Sequence, residues 1–511
     1  MKRSFTQPYT WLIACGVVWI LTGCNRPKTD SGSETGAVGS EDSGKVASGA
    51  KVPVTTKSEE ANKLYDEGQA LFDQIRFHDA HQKFQQAAAK DPTFAMAHYQ
   101  LAITSPSNKE TVAHTKEAVA LAGKASEGER LTILGFQAAI NGDPAKSLEY
   151  AKEAVKKYPG DERARQNLAF AYSTQQDNEK AADELNKAIE INPNFSTAYN
   201  SLGYAYRSLN KNEDAEKAFK KYIELVPNDP NPYDSYAELL MRLGRFDESI
   251  AQYRKALAQD PHFIGSHSGI AGNLMYQGKH GQAIAEAQKL EAAARDDGER
   301  RFGMFTQTVV YVDQGKTDQA LRQLEKQYAF DSKGGDPAQM AGVADAMGDI
   351  LVDAGKPDQA QKRYQQALDL QLNSNISPEA KEDARLAHHY NLARVALVRN
   401  DLPTAKSEAE EYLKGAEAKQ NSNRTKQAHE LAGTIALKEK NFDQAISELE
   451  QANQQSPYVV YVLALAHQGK GDKAKAAELF KQAAESYTLP SLNYALIRAK
   501  AKRQSAAEST P

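Results

Sequence analysis

Two short stretches of this chain combine glycine with polar side chains in a way that could place a phosphate or a nucleophile. Gly315, Lys316 and Thr317 are the residue types that end a phosphate-binding loop, but Val310 stands where such a loop needs a glycine, and the surrounding pattern is helical. The stretch GSHSG, residues 265–269, has histidine where a nucleophile elbow needs serine. We therefore interpret the first stretch as a turn between helices and the second as part of a helix.

Histidines and cysteines supply no further candidate for metal binding or catalysis. His78 and His81 share a helical face and His388 and His389 are adjacent, but neither pair is accompanied by an acidic residue in a zinc-binding pattern. The only cysteines are Cys15 and Cys24, which both lie at or before the processing point argued below, so the mature chain has no disulfide to form. We expect no metal, no cofactor and no catalytic residue, and hence a protein that is not an enzyme.

The thiol of Cys24 ends the one strongly apolar run of the chain, WLIACGVVWILTGC, residues 11–24. A helix that crosses a bilayer needs about 20 apolar residues, and this run is shorter and follows Lys2 and Arg3, the layout of a secretory signal. Its final residues, LTGC, resemble the lipobox of bacterial lipoproteins, in which the cysteine receives the lipid. The resemblance implies a signal peptide over residues 1–23 and a lipid with palmitate-type acyl chains on Cys24. Two or more such chains anchor a protein stably to a membrane.

The residues after Cys24 indicate a tether to the cell envelope. Asn25, rather than aspartate, follows the cysteine, which in enterobacteria-like lipoproteins favours the periplasmic face of the outer membrane over the inner membrane. Residues 24–58 contain no aromatic residue and are rich in serine and glycine, so they cannot bury enough apolar surface to offset chain entropy. We interpret them as a disordered, lipid-anchored linker.

Charge excludes one class of partner. The formal net charge is −4, and removal of residues 1–23 takes away Lys2 and Arg3 to leave −6. Acidic and basic residues are interspersed, whereas a protein that binds nucleic acid needs a basic face. We expect no nucleic-acid partner, and membrane contact only through the lipid anchor.

A period of 34 residues organises the folded part of the chain. Prolines recur at 159, 193, 227 and 261, and a fixed period of this length is the mark of a repeat array. One unit, STAYNSLGYAYRSLNKNEDAEKAFKKYIELVP, residues 196–227, places small residues at Gly203 and Ala215 and large ones at Tyr206 and Phe219. This pattern resembles the tetratricopeptide repeat (TPR), which implies an all-α superhelix of helix-turn-helix units.

The pattern has a physical reason. Small residues permit the two helices of a unit to approach, and proline ends the second helix. One pair of helices cannot cover its own apolar face, so neighbouring pairs must stack.

The repeats divide the chain by their regularity. Residues 59–330 form a regular array, and residues 338–503 form a less regular one with longer spacings and a C-terminal capping helix. The glycine-containing stretch DSKGGDP, residues 331–337, is the predicted boundary or bend, and residues 504–511 are a predicted disordered tail.

A stacked array of this kind presents a concave groove lined by the first helix of each unit, which can hold a peptide or a helix of a partner. In the groove, asparagine side chains could pair with a ligand's backbone amides and Arg207 or Arg242 could hold a carboxylate. From the phase of the repeats we predict that the groove includes Phe136, Arg163, Gln166, Phe170, Asn200, Tyr204, Arg207, Asn231, Asp234, Glu238, Arg242 and Tyr276.

These features favour a non-enzymatic, membrane-tethered scaffold of the bacterial cell envelope that binds protein or peptide partners. The chain looks like the tetratricopeptide lipoproteins that assist envelope assembly. Two alternatives stay open at this point: a chaperone-like protein that captures exported polypeptides, and a regulatory subunit that docks an envelope enzyme.

Overall fold

A computed structural model describes residues 51–508, with gaps at 75, 106–107, 142, 336, 375–377 and 419–421. Its described residues form helices and connecting turns, with no strand among them. The predicted signal peptide over residues 1–23, the lipid attachment site at Cys24 and residues 25–50 of the predicted linker lie outside the described residues.

Twenty-five α-helices follow one another along the described chain, with a short 3-10 segment at Ala122–Lys124 after the fourth. The first eleven are α1 Glu59–Asp73, α2 Phe77–Lys90, α3 Ala95–Thr104, α4 Asn108–Leu121, α5 Glu127–Ile140, α6 Pro144–Lys157, α7 Glu162–Thr174, α8 Asn178–Ile191, α9 Ser196–Ser208, α10 Asn212–Leu225 and α11 Pro230–Arg242. The next seven are α12 Phe246–Gln259, α13 Ile264–Tyr276, α14 His280–Ala293, α15 Asp297–Asp313, α16 Thr317–Gly334, α17 Pro337–Asp353 and α18 Pro357–Leu372. The last seven are α19 Pro378–Arg399, α20 Leu402–Ala418, α21 Ser422–Lys438, α22 Phe442–Gln451, α23 Pro457–Lys470, α24 Lys473–Ala484 and α25 Leu492–Glu508.

Each odd-numbered helix up to α23 other than α11 packs against the even-numbered helix that follows it, and α11 meets α12 where the hydroxyl of Ser249 donates to the carbonyl of Ala237 at 2.7 Å. We call the two members of such a pair the A and B helices of a hairpin. The turn inside the hairpin uses a residue in the left-handed region, and this position recurs every 34 residues at Gln176, Asn210, Gly244 and Gly278. Gly315 occupies the same position between α15 and α16 with a φ of 76°. The glycine-lysine-threonine stretch is therefore a turn between helices, as the sequence predicts.

Small residues let the two helices of a hairpin touch. A Cβ added to Gly203 on α9 would lie 2.6 Å from the ring of Phe219 on α10, closer than real side chains approach. The same arrangement recurs where Gly348 on α17 faces Tyr364 on α18. The predicted role of these small residues in the close contact of helices A and B is confirmed.

In several hairpins, the A and B helices are also linked by a histidine–glutamate contact whose two residues are 19 positions apart. His267 on α13 contacts Glu286 on α14 with 2.6 Å between Nδ1 and Oε1, and 19 residues again separate His389 from Glu408 (2.7 Å). His429 and Glu448 form a third such pair at 2.8 Å. His267 lies within a helix, as predicted for the stretch GSHSG, and its partner is a carboxylate of its own repeat.

The described chain divides into two compact units, residues 51–232 and residues 233–508. In the first unit, apolar side chains between successive hairpins form small separate cores, such as the one around Phe84 and Phe94. The division falls within α11, whereas the sequence analysis places a boundary at residues 331–337. In the structure, α16 continues through this stretch as far as Gly334. Asp331, within the stretch, is buried, and its Oδ1 lies 2.5 Å from Nε of Arg301.

The second unit has a larger continuous core because the C-terminal helix packs back into it. Helix α25 contacts α24 and α23, as a capping helix should, but it also contacts α15 and α17, which lie far earlier in the chain. Tyr494 and Ala495 of α25 belong to the same core as Tyr253, Val309 and Met347. Helix α25 extends to Glu508, so residues 504–508 of the predicted disordered tail are helical.

Candidate partner-binding surface

The A helices of the first unit pack side by side and carry several of the predicted groove residues. Phe136 on α5 meets Tyr99 on α3 edge to face, with ring centroids 5.4 Å apart. Gln100, also on α3, donates from Nε2 to Oε1 of Gln69 on α1 at 2.7 Å. These contacts tie the first three A helices into one polar and aromatic surface.

Arg163 already holds a carboxylate of its own chain. Its two terminal nitrogens donate to the carboxylate of Asp73 at 3.0 and 2.6 Å, a bidentate pair that joins α7 to the end of α1. The guanidinium also lies 5.2 Å from the centroid of the Phe195 ring. The predicted groove position of Arg163 is therefore occupied by an internal ion pair.

Helices α7 and α9 present both apolar and polar groups. Phe170 is 37% exposed, a large value for a phenylalanine. Gln166 donates to the hydroxyl oxygens of Thr197 and Ser201 at 3.2 and 3.4 Å. The rings of Tyr204 and the buried Phe219 meet edge to face. The Arg207 guanidinium lies 4.6 Å from the centroid of the Tyr204 ring.

Two acceptor oxygens on these A helices are buried without a donor among the described residues. Asn200 is 9% exposed and Gln100 is 5% exposed, yet Asn200 Oδ1 and Gln100 Oε1 accept no hydrogen bond there. A buried acceptor without a donor costs about 1–3 kcal/mol. A ligand that brings an N–H group to either oxygen would recover this free energy.

Three predicted groove residues on α11 are buried, and only the fourth faces solvent. Asn231 is 2% exposed and donates from Nδ2 to the Tyr222 hydroxyl at 3.0 Å. Asp234 is 1% exposed and accepts from the hydroxyl of Ser266 at 2.6 Å, and Glu238 is also buried. Arg242 is exposed.

Tyr276 is covered by the C-terminal segment of its own unit. Its hydroxyl donates to the backbone carbonyl of Thr488, and its ring packs near those of Tyr487 and Tyr494, with centroids 5.2 and 5.8 Å apart. The predicted groove position of Tyr276 is therefore covered by residues of its own chain, from the segment before α25 and from α25 itself.

A buried ion pair holds α25 in this position. Arg498 donates from Nε to Oδ1 of Asp313 at 2.5 Å, and its guanidinium lies 5.4 Å from the centroid of the Tyr276 ring. Asp313 also contacts His280 Nε2 at 2.9 Å. Side-chain exposure is 6% for Arg498 and 0% for Asp313, so solvent screens this pair very little.

A second polar network lies on the A helices α17, α19 and α21. Arg394 on α19 donates to Oδ1 of Asp349 on α17 at 2.6 Å. The hydroxyl of Tyr390, also on α19, donates to Oε1 of Glu430 on α21 at 2.6 Å. Burial, and then the neighbouring Asp349, raise the pKa of Asp345 to about 7, while Arg394 opposes the shift. Burial also raises the pKa of Glu430.

Sequence reasoning missed this network because it extrapolated the 34-residue phase only through the regular repeats. The later hairpins are longer, and the left-handed turn residues Gly355, Asn400 and Lys440 are 45 and 40 residues apart. Counting back from those turns would have placed Asp345, Tyr390 and Glu430 at the same register, ten residues before each turn.

Residues 51–57 form an extended segment against the first unit, and we call it the N-terminal strap. The backbone N–H of Val52 donates to Oδ2 of Asp161 at 2.8 Å. The backbone N–H of Thr55 donates to Oε1 of Glu129 at 2.8 Å. The strap thus crosses the N-terminal ends of α5 and α7, where backbone and side-chain groups would otherwise face water.

The strap differs from the prediction of a disordered linker over residues 24–58. The prediction rested on the composition of residues 24–58 as a whole, but the hydrogen-bond partners of the strap lie 74 and 109 residues away in sequence. Local composition carries no information about such distant partners.

The described residues contain no group of three or more His, Cys, Asp and Glu side chains placed to hold a metal ion. Within the same residues, no helix combines the length and the hydropathy that crossing a membrane requires.

Comparison with protein families matches the repeat pattern along most of the folded chain. Models described as tetratricopeptide repeat match residues 65–104, 138–203, 196–229, 230–263 and 386–411. A model described as tetratricopeptide repeat-like domain matches residues 269–381. These matches support a tetratricopeptide repeat protein. TPR arrays are generally interaction scaffolds without catalysis, and they typically bind protein partners.

Solved structures that are similar in fold include two described as TPR proteins. A TPR protein from Parabacteroides merdae is 17% identical, covers 53% of this chain and 92% of its own, and has a TM-score of 0.34. Pseudomonas aeruginosa pilF is 20% identical over 46% of this chain and 92% of its own, with a TM-score of 0.30. A TPR protein from Thermus thermophilus is 23% identical over 42% of this chain and 98% of its own, with a TM-score of 0.28.

With TM-scores below 0.5, these likenesses say nothing about partners or chemistry. A search of the curated proteins finds no match to this chain.

Proposed function

We propose that this protein is a membrane-tethered TPR scaffold of the bacterial cell envelope, and that it binds an extended segment of a partner protein on the A helices of its first unit. The lipobox resemblance at residues 21–24 supports the tether, and we place the anchor on the periplasmic face of the outer membrane. The binding surface includes Phe136, Gln166, Phe170, Asn200, Tyr204 and Arg207.

The observation that carries the binding proposal is the pair of acceptor oxygens, Asn200 Oδ1 and Gln100 Oε1, which are buried without a donor among the described residues. An extended polypeptide offers backbone N–H donors at regular intervals, and each one that reaches such an oxygen satisfies it. The exposed ring of Phe170 adds apolar area on the same set of helices.

The test is site-specific photo-crosslinking in intact cells. Phe170 on the A helix α7 is replaced by p-benzoylphenylalanine, and the products are identified by mass spectrometry. We expect one or a few partner proteins to be captured in stoichiometric amounts, because the groove selects its ligand. Many substoichiometric exported polypeptides would indicate a general chaperone instead.

Val112 provides the matched control. It is a large apolar residue on the B helix α4 and is 46% exposed, so a crosslinker there samples the opposite side of a hairpin. If Val112 captures the same proteins as Phe170 in the same yield, or if Phe170 captures none, the proposed binding surface is wrong.

A further inference from the structure

The polar network of the second unit is the strongest site that the TPR assignment leaves unexplained. We name it the acidic inner face and define it by Asp345, Asp349, Tyr390, Arg394, Glu430 and Tyr458. Its members lie on four successive A helices, α17, α19, α21 and α23, and their side chains are half-buried. The surface is therefore accessible to a ligand and yet shielded enough for charges to interact strongly.

Helix α19 supplies the groups that hold the face together. Arg394 pairs with Asp349 on one side and lies 5.5 Å from the centroid of the Tyr390 ring. The Asp349 carboxylate also accepts from the hydroxyl of Tyr364 at 2.8 Å. On the other side, Tyr390 reaches Glu430. Carboxylates from both flanking helices thus converge on one guanidinium and one phenol.

The charges of the face do not balance. Arg394 compensates Asp349, but among the described residues neither Asp345 nor Glu430 has a cation within ion-pair distance. In the described part of the chain, the Asp345 carboxylate accepts from the amide of Asn391 at 3.4 Å and the Glu430 carboxylate accepts from the neutral phenol of Tyr390. Partly desolvated carboxylates without a cation are costly. The raised pKa values of both groups agree with this arrangement.

Tyrosine side chains near the Glu430 carboxylate indicate which type of cation the face would bind. The Tyr390 hydroxyl donates to the Glu430 carboxylate, and burial first and then the Glu430 charge raise the pKa of Tyr458 on the next A helix. Aromatic faces attract ammonium and guanidinium groups. No metal-binding group of side chains is found among the described residues. Carboxylates beside tyrosine rings therefore match a lysine or arginine side chain.

We propose that the acidic inner face binds a basic segment of a partner polypeptide, whose lysine or arginine side chains pair with Asp345 and Glu430. The proposal rests on the proposed scaffold function, because it names the chemistry of a partner of the array. It concerns a different unit from the Phe170 surface, so the two can fail independently.

The test uses the full chain, immobilised, and pools of decamer peptides. One pool carries two fixed lysines and the other eight positions are randomised among uncharged residues. Matched pools carry arginine, norleucine or glutamate at the two fixed positions. We expect the lysine and arginine pools to bind about tenfold more tightly than the norleucine pool, and the advantage to shrink at higher salt.

The variant Asp345→Asn/Glu430→Gln keeps the shape of both side chains and removes their charge. We expect it to lose about tenfold in affinity for the lysine pool while its circular dichroism spectrum is unchanged. The control variant Asp318→Asn/Glu417→Gln removes two exposed carboxylates from the B helices α16 and α20 and should bind as the wild type does.

Three results would overturn the proposal: equal binding of the lysine and norleucine pools, retention of the lysine preference in the double variant, or no binding of any pool. If Phe170 still captures a partner in cells in any of these cases, only the basic-partner proposal fails and the scaffold function stands.

Discussion

At the scale of single residues, the groups that matter here are those that the repeat fold leaves unsatisfied. Small residues such as Gly203 are fully explained by the contact of helices A and B. Asn200 and Asp345, in contrast, are buried or half-buried polar groups whose partners are missing or weak. Such groups cost free energy in the free protein, and a ligand can recover it.

The ionisation of Asp345 gives a prediction about stability and pH. Its pKa of about 7 in the folded chain lies above the ordinary value of 3.8, so the folded state binds the proton more tightly than the unfolded state does. Stability from this group is therefore complete at low pH and is lost as the pH rises from about 4 through 7.

The variant Asp345→Asn is permanently neutral, so it avoids this loss. We expect its advantage over the wild type to be on the order of 2 kcal/mol larger at pH 8 than at pH 5, measured by urea unfolding at both values. Asp318→Asn, at an exposed position, serves as the control and should show no such difference. An advantage of Asp345→Asn that does not change with pH would contradict the assignment.

At the scale of elements, α25 is the helix with the most unexpected role. It caps α24, as a terminal helix of a repeat array does, and it also buries Arg498 against Asp313 on α15. A buried ion pair is weak evidence for stability, but loss of one partner leaves a buried charge uncompensated and costs about 3–5 kcal/mol. The pair therefore makes the docking of α25 specific rather than merely apolar.

We predict that Arg498→Met releases α25. Hydrogen exchange of residues 492–508 should become faster, and the melting temperature should fall. The double variant Arg498→Met/Asp313→Asn should recover part of the loss because it removes the stranded charge. Lys500→Met breaks the more exposed pair with Asp353 and should cost less than about 1 kcal/mol. Slow exchange of α25 in Arg498→Met would show that apolar contacts alone hold the helix.

The N-terminal strap is the second element whose position depends on contacts distant in sequence. Val52 packs against the backbone of α5 at Gly128 and hydrogen-bonds to Asp161, whereas Val54 is 46% exposed. A carboxylate at position 52 would enter the contact with Gly128 that the valine side chain now fills, and the cost of taking this charge out of water should detach the strap.

We therefore expect Val52→Glu to increase the rate of trypsin cleavage after Lys57 severalfold, measured by mass spectrometry of the fragments. Val54→Glu introduces the same charge at a solvent-facing position and should leave the rate near that of the wild type. Equal rates in the two variants would mean that the strap is not held by these contacts.

At the scale of the whole molecule, the proposed lipid anchor determines where the array meets its partners. If Cys24 carries the lipid, Cys24→Ala should abolish incorporation of labelled palmitate and move the protein from the membrane fraction to the soluble fraction, because no other acyl attachment site is proposed. The helical signal in circular dichroism should not change. Equal palmitate labelling of wild type and variant would refute the anchor.

The sequence by itself determined the repeat architecture. A 34-residue spacing of prolines, with glycine and alanine at the contact of helices A and B, permits only hairpins that stack. It also identified Gly315 correctly as a turn residue and the C-terminal segment as a capping helix, which is α25. These features are encoded locally, in residues of one hairpin and its neighbour.

Only the tertiary structure decided which groove positions are free. Tyr276 and Arg163 have the residue types and phase of groove residues, but Thr488 and Asp73 occupy them. The acidic inner face likewise depends on carboxylates from α17 and α21 that converge on α19. Contacts between residues 40 to more than 200 positions apart depend on how the hairpins stack, and a pattern that repeats within each hairpin does not specify them.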